Sequence, residues 1–134
     1  MGIIGSQFET EFADSRNVLF DVDCDASVSI GDAVRMSSGT AINAQADSMA
    51  NSNVIGVVES KSSTVKCDIR VSGVTAGNIF SGLDETKEYY LSDGTAGLIT
   101  ETIPTAPGSI MLRIGQPFDS SNLLVIKGLR TVRL

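Results

Sequence analysis

Two stretches of the chain share a pattern that few folds accommodate. Val34-Arg35-Met36 leads into Ser37-Ser38-Gly39-Thr40-Ala41, and Tyr89-Tyr90-Leu91 leads into Ser92-Asp93-Gly94-Thr95-Ala96. In each, an extended run meets an S-x-G-T-A turn, where Ser, Asp and Gly tolerate the positive φ angles of a tight reversal. Glu88 to Thr100 therefore reads as a β-hairpin centred on Asp93-Gly94. Downstream features repeat in the same order. Asn53-Val54-Ile55-Gly56-Val57-Val58 answers to Ile110-Met111-Leu112-Arg113-Ile114-Gly115, and a strand ending at Gly73 answers to one ending at Gly128. The order implies an internally duplicated chain.

Between these landmarks the periodicity is two. Val18, Phe20, Val22 and Cys24 alternate with Leu19, Asp21, Asp23 and Asp25. Val65, Cys67, Ile69 and Val71 alternate with Lys66, Asp68, Arg70 and Ser72, the cleanest strand of all. Alternation of this kind places one face in a core and the other in water. Ser29 to Asp32 reads as a turn, Ala41 to Ala50 as a loop, and Gly128 to Leu134 as a tail. Pro104 and Pro107-Gly108 mark another loop, and Gly115-Gln116-Pro117 closes the strand from Ile110. Residues 1–16 carry Ile3, Ile4, Phe8 and Phe12 without a strand pattern and read as an N-terminal arm. The expected fold is all-β, with residues 17–134 forming a single domain built from two similar hairpin units. It is an antiparallel β-barrel-like domain or a compact β-sandwich.

At 134 residues the chain is long enough to bury roughly two thirds of its unfolded surface in one core. No apolar run approaches the ~20 residues of a membrane span, and the N-terminus lacks a signal-peptide pattern, so synthesis in the cytoplasm is expected. The formal charge is −6, and the excess sits in residues 1–32, where seven carboxylates face Arg16 alone. A nucleic-acid backbone calls for clustered basic surface, which this balance does not supply. Lys127, Arg130 and Arg133 read as a solvated basic tail.

Candidate chemistry is sparse. Asp21, Asp23 and Asp25 have the D-x-D-x-D spacing that opens an EF-hand loop, with Asp32 at the twelfth position. Ala26 stands where that loop needs Gly, and Asp32 where it needs Glu, so the carboxylates read as the wet face of a strand. The chain has no histidine, which removes Ser-His and Cys-His pairs and the usual zinc sets. Cys24 and Cys67 read as small buried hydrophobes, free in a reducing compartment, with a disulfide open to them if their strands are adjacent. Tyr89 shares a face with Leu91 and reads as core. Tyr90, in phase with Glu88 and Ser92, reads as exposed and suited to an interface or sugar contact. The chain is expected to be no enzyme and to need no cofactor or metal. A small hydrolase survives only through carboxylate pairs that sequence cannot place.

Gly31-Asp32-Ala33-Val34, Val54-Ile55-Gly56-Val57-Val58, Val71-Ser72-Gly73-Val74, Tyr89-Tyr90-Leu91-Ser92 and Pro107-Gly108 through Ile114-Gly115 together resemble small β-rich structural proteins of tailed bacteriophages. These are capsid decoration (cement) proteins and head-fibre or tail-fibre modules, and the likeness covers about residues 28–128. The resemblance implies a virion protein on the capsid surface, commonly a homotrimer, with the major capsid protein as partner and no catalytic residues. Ile3, Ile4, Phe8 and Phe12 are the capsid-contact candidates, since an apolar arm beside a sheet edge suits strand addition to a partner. The other reading the resemblance allows is a fibre or tail attachment module contacting a host glycan or another virion protein.

Overall fold

The computed structural model describes residues 17–134. The arm over residues 1–16, with Ile3, Ile4, Phe8 and Phe12, lies outside the described residues. Twelve strands follow one another: β1 (Val18–Asp23), β2 (Ala33–Ser37), β3 (Thr40–Asn43), β4 (Gly56–Ser63), β5 (Lys66–Arg70), β6 (Gly73–Val74), β7 (Tyr89–Leu91), β8 (Ile99–Thr100), β9 (Ile110–Met111), β10 (Arg113–Pro117), β11 (Leu123–Val125) and β12 (Thr131–Val132). The chain is all-β and every strand ladder is antiparallel. No helix among the described residues is long and apolar enough to cross a membrane.

The duplication is visible in the topology. One sheet runs β3-β2-β4-β5-β1 and the other β8-β7-β10-β11-β6, the same order in each half, while β9 and β12 form a separate pair. The register repeats as well. Val34 pairs with Gly56 in the first sheet, and Tyr89 pairs with Gly115 in the second. Val34 and Tyr89 are the positions that the S-x-G-T-A alignment makes equivalent, and each faces the glycine of its central strand.

Both glycines exist for the same steric reason. A Cβ on Gly56 would stand 2.3 Å from the Arg70 carbonyl oxygen, and one on Gly115 would stand 2.1 Å from that of Leu124. In each half the central strand lies against its neighbour's backbone where no side chain fits.

Neither sheet closes into a barrel, and a sandwich-like arrangement results. The first sheet curls until its edges touch at one parallel bridge, Cys24 to Ala41, supported by Asp25 N–H donating to the Ala41 carbonyl at 2.9 Å. Adjacent residues of this sheet enter different cores. Val34 and Val58 join Cys24, Val28, Ala41, Cys67 and Ile69 inside the curl. Ala33 and Val57 join Tyr89, Leu91, Ile114, Leu123 and Val125 in a core shared with the second sheet. Each buried Val or Leu contributes about 1.5–3 kcal/mol, so the shared core ties the halves into one unit.

Several sequence expectations change here, each for a local reason. β1 carries a bulge between Leu19 and Val22, with Asp21 at φ 58°, so Phe20 turns outward and is 58% exposed instead of joining the core. Val65 lies in the turn before β5 and is exposed. Arg70, placed by alternation on a wet face, is buried because the chain from Gly73 to Ala76 covers it. Its Nε donates to Glu59 Oε2 at 2.9 Å, and Nη2 lies 3.3 Å from Oε1. The same carboxylate accepts the Ala76 N–H at 2.7 Å.

The loop read over Ala41–Ala50 is a strand as far as Asn43. Beyond it, Ala44 and Ala46 are fully buried, since their backbone is bonded to the other half: Gly97 N–H to the Ala44 carbonyl, Ala46 N–H to that of Ser92, and Ile110 N–H to that of Ala46. The C-terminal tail is also structured. β12 pairs with β9, Lys127 Nζ donates to the Val54 carbonyl, Arg130 Nη1 to that of Met49 and Arg133 Nε to that of Pro104. The three cations fasten a clasp.

Two measurements check this account. Gly56→Ala or Gly115→Ala should each lower the unfolding free energy by at least about 2 kcal/mol in urea titrations, while Gly94→Ala, where a Cβ meets open space, should change it by less than about 0.5 kcal/mol. Glu59→Ala should cost about 3 kcal/mol by stripping the carboxylate from a buried guanidinium, and a Glu59→Met, Arg70→Met double variant should recover most of that loss.

Candidate functional site

Tyr90 sits mid-strand on β7, directly opposite Thr100 of β8 on one side and Arg113 of β10 on the other. The short strand alternates its side chains, so Tyr89 and Leu91 enter the shared core while Tyr90 stands on the outer face. Tyr89 is 7% exposed, and its hydroxyl accepts the Asp84 N–H at 2.9 Å. Tyr90 is half-buried.

Around it lies an open groove of about 320 Å³ lined by Glu88, Tyr90, Met111, Arg113, Gly128 and Leu129. The clasp builds its far wall. Gly128 N–H donates to the Arg113 carbonyl at 2.9 Å, and the Gly128 Cα lies where a Cβ would meet the Arg113 Cβ at 3.4 Å. Leu129 is then 90% exposed at the rim.

The polar groups form a chain centred on Glu88. The Tyr90 hydroxyl donates to Glu88 Oε1 at 3.1 Å, and Arg113 Nη1 lies 3.4 Å from Glu88 Oε2. Arg113 Nε is buried and lacks a hydrogen-bond partner among the described residues. Burial, together with the hydrogen bond to Glu88 and its negative charge, pushes the Tyr90 phenol above its ordinary range, and Arg113 opposes that shift. An aromatic face, a carboxylate and a guanidinium side by side suit the recognition of a polar or sugar-like surface.

Other sequence candidates disperse. Asp21 to Asp25 do not converge: Asp23 pairs with Lys66 at 2.6 Å, Asp25 accepts from the Ser27 N–H and hydroxyl, and Asp21 N–H donates to Asp68 Oδ1 at 2.9 Å. Asp32 accepts the Ser29 N–H and holds a turn. Among the described residues, no three His, Cys, Asp or Glu side chains gather as a metal site. Asp47 and Asp93 do share an open groove of about 250 Å³ with Ser109 and the Pro107 loop, but the Ser109 hydroxyl donates to the Ala106 carbonyl at 2.6 Å.

Ser92 is also reassigned. It is buried, and its hydroxyl accepts the Gly94 and Thr95 N–H groups, capping a turn instead of sharing Tyr90's face. Of the groove, the sequence pointed only to Tyr90 and its phase partner Glu88. Arg113 carried a weak signal, as the charged member of an apolar alternation, and Leu129 carried none.

Glu88→Gln removes a negative charge beside the phenol and keeps an acceptor. Tyrosinate titration followed by ultraviolet absorbance should therefore show Tyr90 ionising at lower pH in that variant, and at higher pH in Arg113→Leu, where the opposing cation is gone. Unchanged curves in both would refute the electrostatic coupling. Compared with known proteins, the chain matches no family model, no curated protein and no solved structure.

Proposed function

We propose that this chain is a bacteriophage virion structural protein, a capsid decoration (cement) protein that binds the outer surface of the head and stabilises it. The observation that carries the reading is the pairing of a duplicated sandwich with apolar side chains held outward on its periphery. Phe20, Phe118, Leu129 and Leu134 are all more than half exposed. Side chains of this kind on a small all-β unit suit burial against neighbouring subunits. The resemblance over residues 28–128 supplies the context: a homotrimer on the assembled particle, with the major capsid protein as partner. Ile3, Ile4, Phe8 and Phe12 remain the capsid-contact candidates of the sequence. Cyclic symmetry multiplies weak contacts through avidity. On this reading the protein acts in the virion without catalysis, nucleic acid or membrane.

A second reading has its own observation. The Glu88, Tyr90 and Arg113 groove suits a fibre or tail attachment module that contacts a host glycan.

Copy number separates the two. Quantitative mass spectrometry of purified virions should find this chain in numbers comparable to the capsid lattice, and a particle lacking it should rebind the purified protein. Deleting residues 1–16 should weaken that rebinding while leaving the fold intact. A few copies per particle would transfer the assignment to the attachment module, and absence from virions would end both.

A further inference from the structure

The two cysteines of the chain come from strands far apart in sequence and meet in one core. Cys24 follows β1 and Cys67 lies in β5, and these strands pair directly: Val22 stands opposite Cys67, and Cys24 N–H donates to the Val65 carbonyl at 2.9 Å. The side chains are thus diagonal neighbours across one ladder. Both are free and buried, packed with Val28, Val34, Ala41, Val58 and Ile69. We propose that Cys24 and Cys67 form an intramolecular disulfide when the protein meets an oxidising thiol pool, locking the curl of the first sheet.

The place of Cys24 makes the step feasible. It lies just past the end of β1, at the bridge where the two edges of the sheet touch, so opening that bridge together with the Cys24–Val65 hydrogen bond frees this end of the strand without disturbing the β4-β5 ladder. The movement exposes Cys24 and supplies the remaining approach that a diagonal pair needs for disulfide geometry. In the closed state both thiols are protected. Burial and the neighbouring Cys24 thiol push the Cys67 thiol up to about 12, so the thiolate that closes the bond in the second step is scarce in the closed state. Besides Cys24, the ionisable groups acting on Cys67 are Lys61, directly opposite on β4, and Asp68, the next residue of β5. Lys61 favours the thiolate and Asp68 opposes it, while Lys61 Nζ is anchored on the Val28 carbonyl at 2.6 Å.

The oxidant is a low-molecular-weight disulfide. The Cys24 thiolate attacks one sulfur of it, forming a mixed disulfide and releasing one small thiolate. The Cys67 thiolate then attacks the Cys24 sulfur and releases the second. The two cysteines lose two electrons and two protons, and the small disulfide is reduced to two thiols. This inference concerns the module itself and stands apart from what the module docks on.

The test uses the full chain, incubated with glutathione disulfide in a urea series that stops below the unfolding midpoint. Both free thiols should disappear together, the intact mass should fall by two hydrogens, and peptide mapping should join the segments containing Cys24 and Cys67. The melting temperature of the product should rise by about 10 °C and return on treatment with dithiothreitol, because the bond closes a long loop in the unfolded chain. Cys67→Ser should stop at a single glutathione adduct on Cys24. A persistent adduct in the parent protein, disulfide-linked dimers, or thiols that stay free until global unfolding would each overturn the proposal.

Discussion

The fold depends on two places where a side chain is forbidden. At Gly56 and Gly115 the central strand of each half presses its Cα against the neighbouring carbonyl, at a separation no Cβ survives. That contact fixes where β4 meets β5 and where β10 meets β11, and so which residues of each strand face inward. A slip of one residue would invert every side chain in the sheet. Because the same contact recurs in both halves, both adopt one strand order, and their apolar faces meet in a single shared core.

The halves use this common frame differently. The first is covered on both faces, by its own curl on one side and by the second half on the other. The second contributes to the shared core alone and presents Tyr90, Arg113 and Leu124 on a partly accessible outer face. The repeat therefore builds the scaffold, and the groove around Tyr90 lies where the copies diverge. The position of Tyr90 is held in the first half by Arg35, which belongs to a hairpin with a two-residue turn, Ser38 and Gly39 at φ 51° and 81°. In the second half the turn is longer, from Ser92 to Leu98, and Gly97 supplies the positive φ.

That contrast explains what was legible in the sequence. The S-x-G-T-A repeat and the two apolar-Gly strands were readable because turn chemistry and steric exclusion act through single residue types. Gly94 looked equivalent to Gly39, yet three extra residues moved the left-handed position to Gly97. Alternation located β5 but misjudged Arg70, since the periodicity records which side a residue faces and not what later covers that side. Phe20 was lost to a bulge that no neighbouring residue announces. Of the groove, Tyr90 and Glu88 could be phased from their own strand, whereas Arg113 and Leu129 arrive through a register set by residues elsewhere. The basic C-terminus was read as solvated because its acceptors, three backbone carbonyls, have no side-chain signature.

Those carbonyls give the clasp a character that the rest of the molecule lacks. Lys127, Arg130 and Arg133 hold the Val54, Met49 and Pro104 carbonyls, three points drawn from both halves. Contacts between a carboxylate and a cation lose their negative partner in strong acid. The three bonds of the clasp end on backbone carbonyls, which acid does not neutralise. Where a change of solution weakens the charged contacts inside the first half, these three bonds keep their acceptors, and the link between the halves is independent of carboxylate charge.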